Sequence, residues 1–140
     1  MEKVRVALIG AGGMANRVHY PSLATFDDVE LVGLCDVVPD KLEATAEKFE
    51  IAKTFSCYKA MIEETKPDAV YALMPPHVLF DVAMDIMDAD CNLFIEKPPA
   101  VTTHQTLCLG KKAEDKGLIT SVGWQRRYHP LVHHCFEEVK

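Results

Sequence analysis

At 140 residues the chain has the size of one ordinary domain and is short for an enzyme carrying a cofactor lobe and a substrate lobe together. Its 49% hydrophobic and 26% charged residues are those of a globular chain able to fill a core, which excludes a disordered tail, a collagen-like strand and a coiled coil. Fifteen Lys and Arg against 21 Asp and Glu leave a net charge of −6 and no basic stripe for nucleic acid or a membrane surface, so the expected partners are small molecules.

In chain order, Met1-Glu2-Lys3 leads straight into an apolar run, Val4 to Ile9, that Gly10 interrupts, a pattern of neither a secretory leader nor a membrane span. Further β-branched or apolar runs at Val29 to Cys35, Lys53 to Phe55, Ala69 to Leu73, Asn92 to Ile95 and Ile119 to Gly123 each read as a strand. Between them the spacing is helical. Leu42, Ala46 and Phe49 share one face while Glu43, Glu47 and Lys48 turn outward; Val78, Leu79, Val82, Ala83, Ile86 and Met87 form a second apolar stripe away from Asp81, Asp85 and Asp88. Such alternation predicts a doubly wound parallel sheet (Rossmann fold) of about six strands with helices on both faces. The expected dinucleotide-binding domain covers residues 1–128. Residues 129–140, including a helix from Leu131 to Val139 that Pro130 starts, are expected to begin the connection to a second domain outside this chain. The five cysteines are odd in number, form no C-x-x-C pair and mostly lie in apolar stretches, a pattern of reduced thiols that predicts a cytoplasmic location.

The residues most suggestive of chemistry follow the first strand. Gly10-Ala11-Gly12-Gly13-Met14-Ala15 is a G-x-G-x-x-A between a strand and a helix: Gly10 permits a tight turn, Gly12 lets backbone approach a pyrophosphate, and Ala15 lets the helix pack close. The helix start then presents free amides and a positive dipole to phosphate. Asp36 ends the second strand 24 residues after Gly12, near the spacing of about 20 at which a ribose-binding carboxylate is expected. It either accepts from the ribose hydroxyls or caps the following loop. In the first role it repels a 2′-phosphate, and neither Val37 nor Val38 supplies an arginine to hold one, so NAD is expected over NADP. Glu96-Lys97-Pro98 follows the fifth strand at the carboxyl end of the sheet, where open α/β folds bind ligands. His129 and His133 stand four apart near Cys135, but His129 precedes Pro130 and so lies before the first helical turn; no metal site is expected.

Taken in order, Val6 to Ala15, Leu34-Cys35-Asp36, Met74-Pro75-Pro76-His77, Glu96-Lys97-Pro98 and Gly123-Trp124-Gln125-Arg126-Arg127-Tyr128 resemble the N-terminal half of the Gfo/Idh/MocA oxidoreductases over essentially the whole chain. The resemblance implies an NAD-binding domain, with Gly10, Gly12, Gly13, Met14 and Asp36 on the cofactor, in an enzyme that oxidises a secondary alcohol of a sugar, cyclitol or related compound. It implies that Lys97 is the catalytic residue, taking the hydroxyl proton beside the nicotinamide, and that Glu96 contacts the nicotinamide side. A cis Lys97-Pro98 bond is part of the same pattern. The loop Met74-Pro75-Pro76-His77 is implied to run along the cofactor. Met74 and Pro76 replace the Thr and Asn common in the family, which leaves backbone contacts from Met74 and Pro75, and for His77 either a cofactor contact or a place at the helix start. Arg127, or its neighbour Arg126, is placed to reach the nicotinamide or a polyol hydroxyl. Resembling enzymes continue into a second α/β domain that carries substrate contacts. This chain alone is therefore expected to bind NAD without turnover and, through an apolar face left on its last helix, to form homo-oligomers. Two other readings stand beside this one: a stand-alone NAD-sensing or partner-docking module, and another Rossmann ligand such as S-adenosylmethionine, against which Glu96-Lys97-Pro98 argues.

Overall fold

The computed structural model describes residues 2–139. Its strands are β1 (Val4–Ile9), β2 (Val29–Cys35), β3 (Thr54–Phe55), β4 (Ala69–Ala72), β5 (Asn92–Ile95) and β6 (Thr120–Val122). They form one parallel sheet in the order β3-β2-β1-β4-β5-β6. The helices between and after them are α1 (Tyr20–Leu23), α2 (Pro39–Lys48), α3 (Tyr58–Thr65), α4 (Pro76–Asp88), α5 (Thr103–Lys116) and α6 (Pro130–Glu138). This is the doubly wound arrangement expected from the alternation of strands and helices. The third, fourth and sixth strands are shorter than their apolar runs. Lys53, Leu73, Ile119 and Gly123 each contribute a single backbone bond to a neighbouring strand, without the regular pairing that continues a ladder. No helix among the described residues is long and apolar enough to cross a membrane.

Side chains alternate across the sheet, so each strand feeds two apolar layers. Ala7, Ile9, Val70, Ala72, Leu93 and Ile95 pack on one face against Met61 of α3, Leu79, Ala83 and Ile86 of α4, and Leu109 of α5. On the other face Val6, Leu8 and Leu34 meet Tyr20, Leu23 and Ile51, with Leu42, Ala46 and Phe49 closing the edge as their spacing predicts. Burying side chains of this size contributes about 1.5–3 kcal/mol each, which makes these layers the main support of the site at the sheet's edge. The apolar stripe expected on α4 divides. Leu79, Ala83, Ile86 and Met87 are buried and Val82 packs against the core while also reaching a cleft at the sheet's carboxyl end, whereas Val78 is exposed and lines that cleft. On α6, Leu131 and Phe136 are each 66% exposed, so this helix lies outside both apolar layers.

A π-helical turn, Ala15–His19, precedes α1, with the Tyr20 amide donating to the Ala15 carbonyl five residues back. A π turn holds more residues than an α turn, so successive side chains are separated by less than the usual rotation of about 100°. Both His19 and Tyr20 consequently face the sheet. Tyr20 is fully buried beneath the glycine turn, and His19 lies over the aromatic rings of Tyr71 and Phe94.

Register sets the site. Cys35 pairs with Ile9, Ile9 with Ala72, Ala72 with Ile95 and Ile95 with Val122. The residues that follow this row, Asp36, Gly10, Leu73, Glu96 and Gly123, therefore emerge side by side at the carboxyl edge. Strands lie about 4.8 Å apart, so three strand steps place Asp36 and Glu96 about 14 Å from each other. Between them the strand order reverses at β1 and β4, the position where doubly wound sheets open a crevice.

Candidate functional site

Gly10 has φ +98°, a conformation that a side chain rarely adopts, and a Cβ there would overlap the carbonyl oxygen of Leu73. Nothing lies within 4 Å of a Cβ built on Gly12, so the space above its backbone is open to a ligand. The carbonyls of the turn point inward. The Tyr20 hydroxyl donates to Gly10 O at 2.5 Å, while Asn16 Nδ2 is shared among Ala11 O, Gly12 O and Thr45 Oγ1 at 3.1, 3.3 and 2.9 Å. Burial, followed by the nearby Asp36 carboxylate, pushes the Tyr20 phenol far up and keeps it a donor. With the carbonyls held inside, the first amides of the helix, which have no intrahelical acceptor, are left for a ligand. Gly13 and Met14 belong to this first turn, and Arg17 Nε folds back onto Gly13 O at 3.2 Å.

Asp36 takes up the loop-capping role its position suggested. Val38 N donates to Oδ1 at 2.8 Å and caps the loop, and Ala11 N donates to Oδ2 at 2.6 Å, tying Asp36 to the glycine turn. Each oxygen keeps a further acceptor position for a hydroxyl. Gly10, Gly12, Asp36, Met74 and Pro75 line a cleft of about 530 Å³ whose apolar walls include Tyr58, Val78 and Val82. Apolar walls beside a carboxylate suit a purine base joined to a ribose. Tyr58 is held from behind: its hydroxyl donates to Asp85 Oδ2 at 2.6 Å, and Lys59 Nζ lies 2.8 Å from the same oxygen. Burial, then this bond, pushes the Tyr58 phenol up to about 12, and the bonds from Lys59 and Tyr58 hold Asp85 below the usual carboxylate range.

At the other end of the row the Lys97-Pro98 peptide is cis. Met14, Glu96, Lys97, Trp124, Arg126 and Arg127 line a second cleft of about 930 Å³, bounded also by Phe136 of α6. Lys97 is exposed there, and the Arg127 guanidinium lies 5.8 Å over the Tyr128 ring. Both Glu96 oxygens are already engaged: His19 Nε2 donates to Oε1 at 2.7 Å and Lys97 N donates to Oε2 at 3.0 Å. His77 is exposed in the first turn of α4 and lines neither cleft. The His129 ring accepts from Leu131 N through Nδ1 at 3.2 Å and so caps α6. Sequence reasoning passed over His19, Tyr20, Asn16, Tyr58 and Asp85. The first three depend on the π turn, which no periodicity announces, and the last two meet across 27 residues of chain.

A family model described as an oxidoreductase family with an NAD-binding Rossmann fold matches residues 4–124. D-glucoside 3-dehydrogenase of Escherichia coli K12 is 33% identical over 125 residues, which are 89% of this chain and 36% of that protein. Inositol 2-dehydrogenase of Salmonella typhimurium LT2 is 30% identical over 129 residues, 89% of this chain and 38% of that protein. Among solved structures, the WlbA dehydrogenase of Chromobacterium violaceum, in complex with NADH and UDP-GlcNAcA, superposes with a TM-score of 0.90 at 26% identity, covering 99% of this chain and 41% of that one. The chain thus spans little more than a third of the length of the curated relatives it matches.

Proposed function

The chain belongs to the Gfo/Idh/MocA oxidoreductases as their NAD-binding Rossmann domain, and from that premise we propose that it serves the oxidation of a secondary alcohol on a sugar, cyclitol or related compound. The observation that carries this reading is the row at the carboxyl edge, which sets Asp36 and the glycine turn at one end and Glu96-Lys97 about 14 Å away at the other. An extended dinucleotide fits that span. The pyrophosphate is held by the backbone of Gly10, Gly12, Gly13 and Met14, and the adenosine ribose by Asp36. Met74 and Pro75 line the path between the ends, and Glu96, Lys97 and Arg127 face the reacting end. His77 is given no part beyond opening α4.

When bound, the cofactor supplies a two-electron acceptor. Lys97 takes the proton from the substrate hydroxyl at Nζ, so that C–H cleavage is not opposed by a rising positive charge on oxygen. Arg127 orients a hydroxyl of the substrate, and Trp124 and Phe136 keep an apolar wall beside the reacting carbon. A second lobe, of the size by which the relatives exceed this chain, supplies the remaining substrate contacts. The 140 residues alone therefore bind NADH and do not oxidise a polyol, because misplacing the reacting carbon by about 1 Å already costs roughly a hundredfold.

Titration with NADH and NADPH, followed by energy transfer from Trp124, the sole tryptophan, tests the cofactor assignment. NADH should bind more tightly; equal affinities would remove Asp36 from the ribose. Lys97→Ala should weaken NADH by no more than about three- to tenfold, the loss of one hydrogen bond, and, in protein that includes the second lobe, lower turnover by about two to four orders of magnitude. Turnover indifferent to Lys97 assigns the proton to another group.

A further inference from the structure

We propose that His19 is a positioning residue for Lys97, acting through Glu96; the proposal rests on the assignment of Lys97 to the reacting end of the cofactor. The side chains of His19 and Glu96 are each only 12% exposed. The Glu96 carboxylate spans two elements: Oε1 accepts from His19 Nε2 at 2.7 Å, and Oε2 accepts from the backbone N–H of Lys97 at 3.0 Å. A Cβ on Gly123 would stand 3.0, 3.1 and 3.3 Å from Oε1, Cδ and Oε2, so only glycine on the neighbouring strand leaves the carboxylate where it is.

The His19 ring is held as firmly as the carboxylate. It packs 5.2 Å from the Phe94 ring and 6.3 Å from that of Tyr71, and those two rings stack on each other at 4.4 Å. This fixes the direction in which Nε2 donates. The π turn that delivers His19 begins at Ala15, the last residue of the glycine motif. One short segment therefore presents its first amides to the phosphates and, a turn later, grips the carboxylate that fixes the Lys97 backbone.

An enclosed pair of this kind gives little net stability, because desolvating the carboxylate offsets much of the attraction. Its consequence lies in placement. With His19 gone, Glu96 Oε1 loses its donor, and the carboxylate is free to turn toward the Lys97 side chain and draw it away from a bound nicotinamide.

The test uses reductively 13C-methylated protein, with the Lys97 dimethylamine resonance assigned by its loss in Lys97→Arg, together with affinities for NADH and for ADP-ribose, which lacks the nicotinamide. In His19→Phe, which keeps an aromatic ring and loses the donor, the Lys97 resonance should move while the other lysine signals stay. NADH should bind roughly three- to tenfold more weakly, the range for one lost hydrogen bond, and ADP-ribose as in the wild type. His19→Gln, which restores an N–H donor, should return both readouts toward wild type. Glu96→Gln should move the Lys97 resonance as His19→Phe does, since its single amide oxygen cannot accept from both His19 Nε2 and Lys97 N, and it decides the matter if His19→Phe does not fold. A Lys97 resonance indifferent to both substitutions overturns the proposal, as does an equal loss of NADH and ADP-ribose. Wild-type protein that binds neither nucleotide overturns the cofactor assignment itself.

Discussion

Gly10 and Gly12 are two residues apart in one turn, yet their replacement by alanine should fail in different ways. At Gly10, φ +98° costs a side chain about 1–3 kcal/mol, and forcing a methyl against the Leu73 carbonyl adds about 1–3 kcal/mol of overpacking. The lower entropy of an unfolded alanine returns about 0.4–1 kcal/mol. Gly10→Ala should thus lose about 1–6 kcal/mol of folding stability, a large share of the 5–15 kcal/mol typical of a domain. The relief of that clash displaces the chain after β4, which carries Met74 and Pro75, so NADH binding falls as well. Gly12→Ala meets no atom within 4 Å and should fold as stably as the wild type. Its methyl instead occupies the space of the pyrophosphate and removes one charge-assisted hydrogen bond, about 1.5–3 kcal/mol or roughly ten- to a hundredfold in affinity. Urea denaturation and NADH titration on the two variants separate these outcomes. Gly10→Ala as stable as the wild type, or Gly12→Ala destabilised to the same degree as Gly10→Ala, would refute the reasoning.

Asp36→Ala should weaken NADH by about 1–3 kcal/mol and narrow the gap between NADH and NADPH, read by parallel titrations; an unchanged gap takes the carboxylate off the ribose. Because Lys59 and Tyr58 hold Asp85 below its ordinary value of about 3.9, its contribution to folding is fully present above that pH and is lost as pH falls through the lowered value. Denaturation of Asp85→Asn and wild type should therefore differ slightly at pH 7 and converge in strong acid, the difference being small because Lys59 is largely exposed and Asp85 only partly buried. A gap that persists unchanged in acid contradicts this. Cys57, whose thiol the amides of Ala60 and Lys59 pull down at the start of α3, should react with iodoacetamide before Cys35, which burial pushes up to about 11, and before buried Cys91. Peptide mapping that finds Cys35 or Cys91 alkylated first in folded protein would count against it.

Local pattern was enough to read the strands, the parallel class and the candidate residues that meet at the carboxyl edge. Nearly unbroken apolar runs, helices with period 3.6, the glycine spacing and the acid after β2 are all properties of neighbours along the chain. Their relative placement was not legible there. The 14 Å between Asp36 and Glu96 follows from strand order and register, which are set by how five crossovers pack. Periodicity also put Val78 in the core, whereas it is exposed at the start of α4 and forms part of the cleft wall. Tertiary structure alone decided the partners of the charged groups. Glu96 reads in the sequence as one acid beside Lys97; its engagement with His19, 77 residues away, exists because a π turn rotates two adjacent side chains onto the same sheet and the Gly123 backbone leaves room for the carboxylate between them.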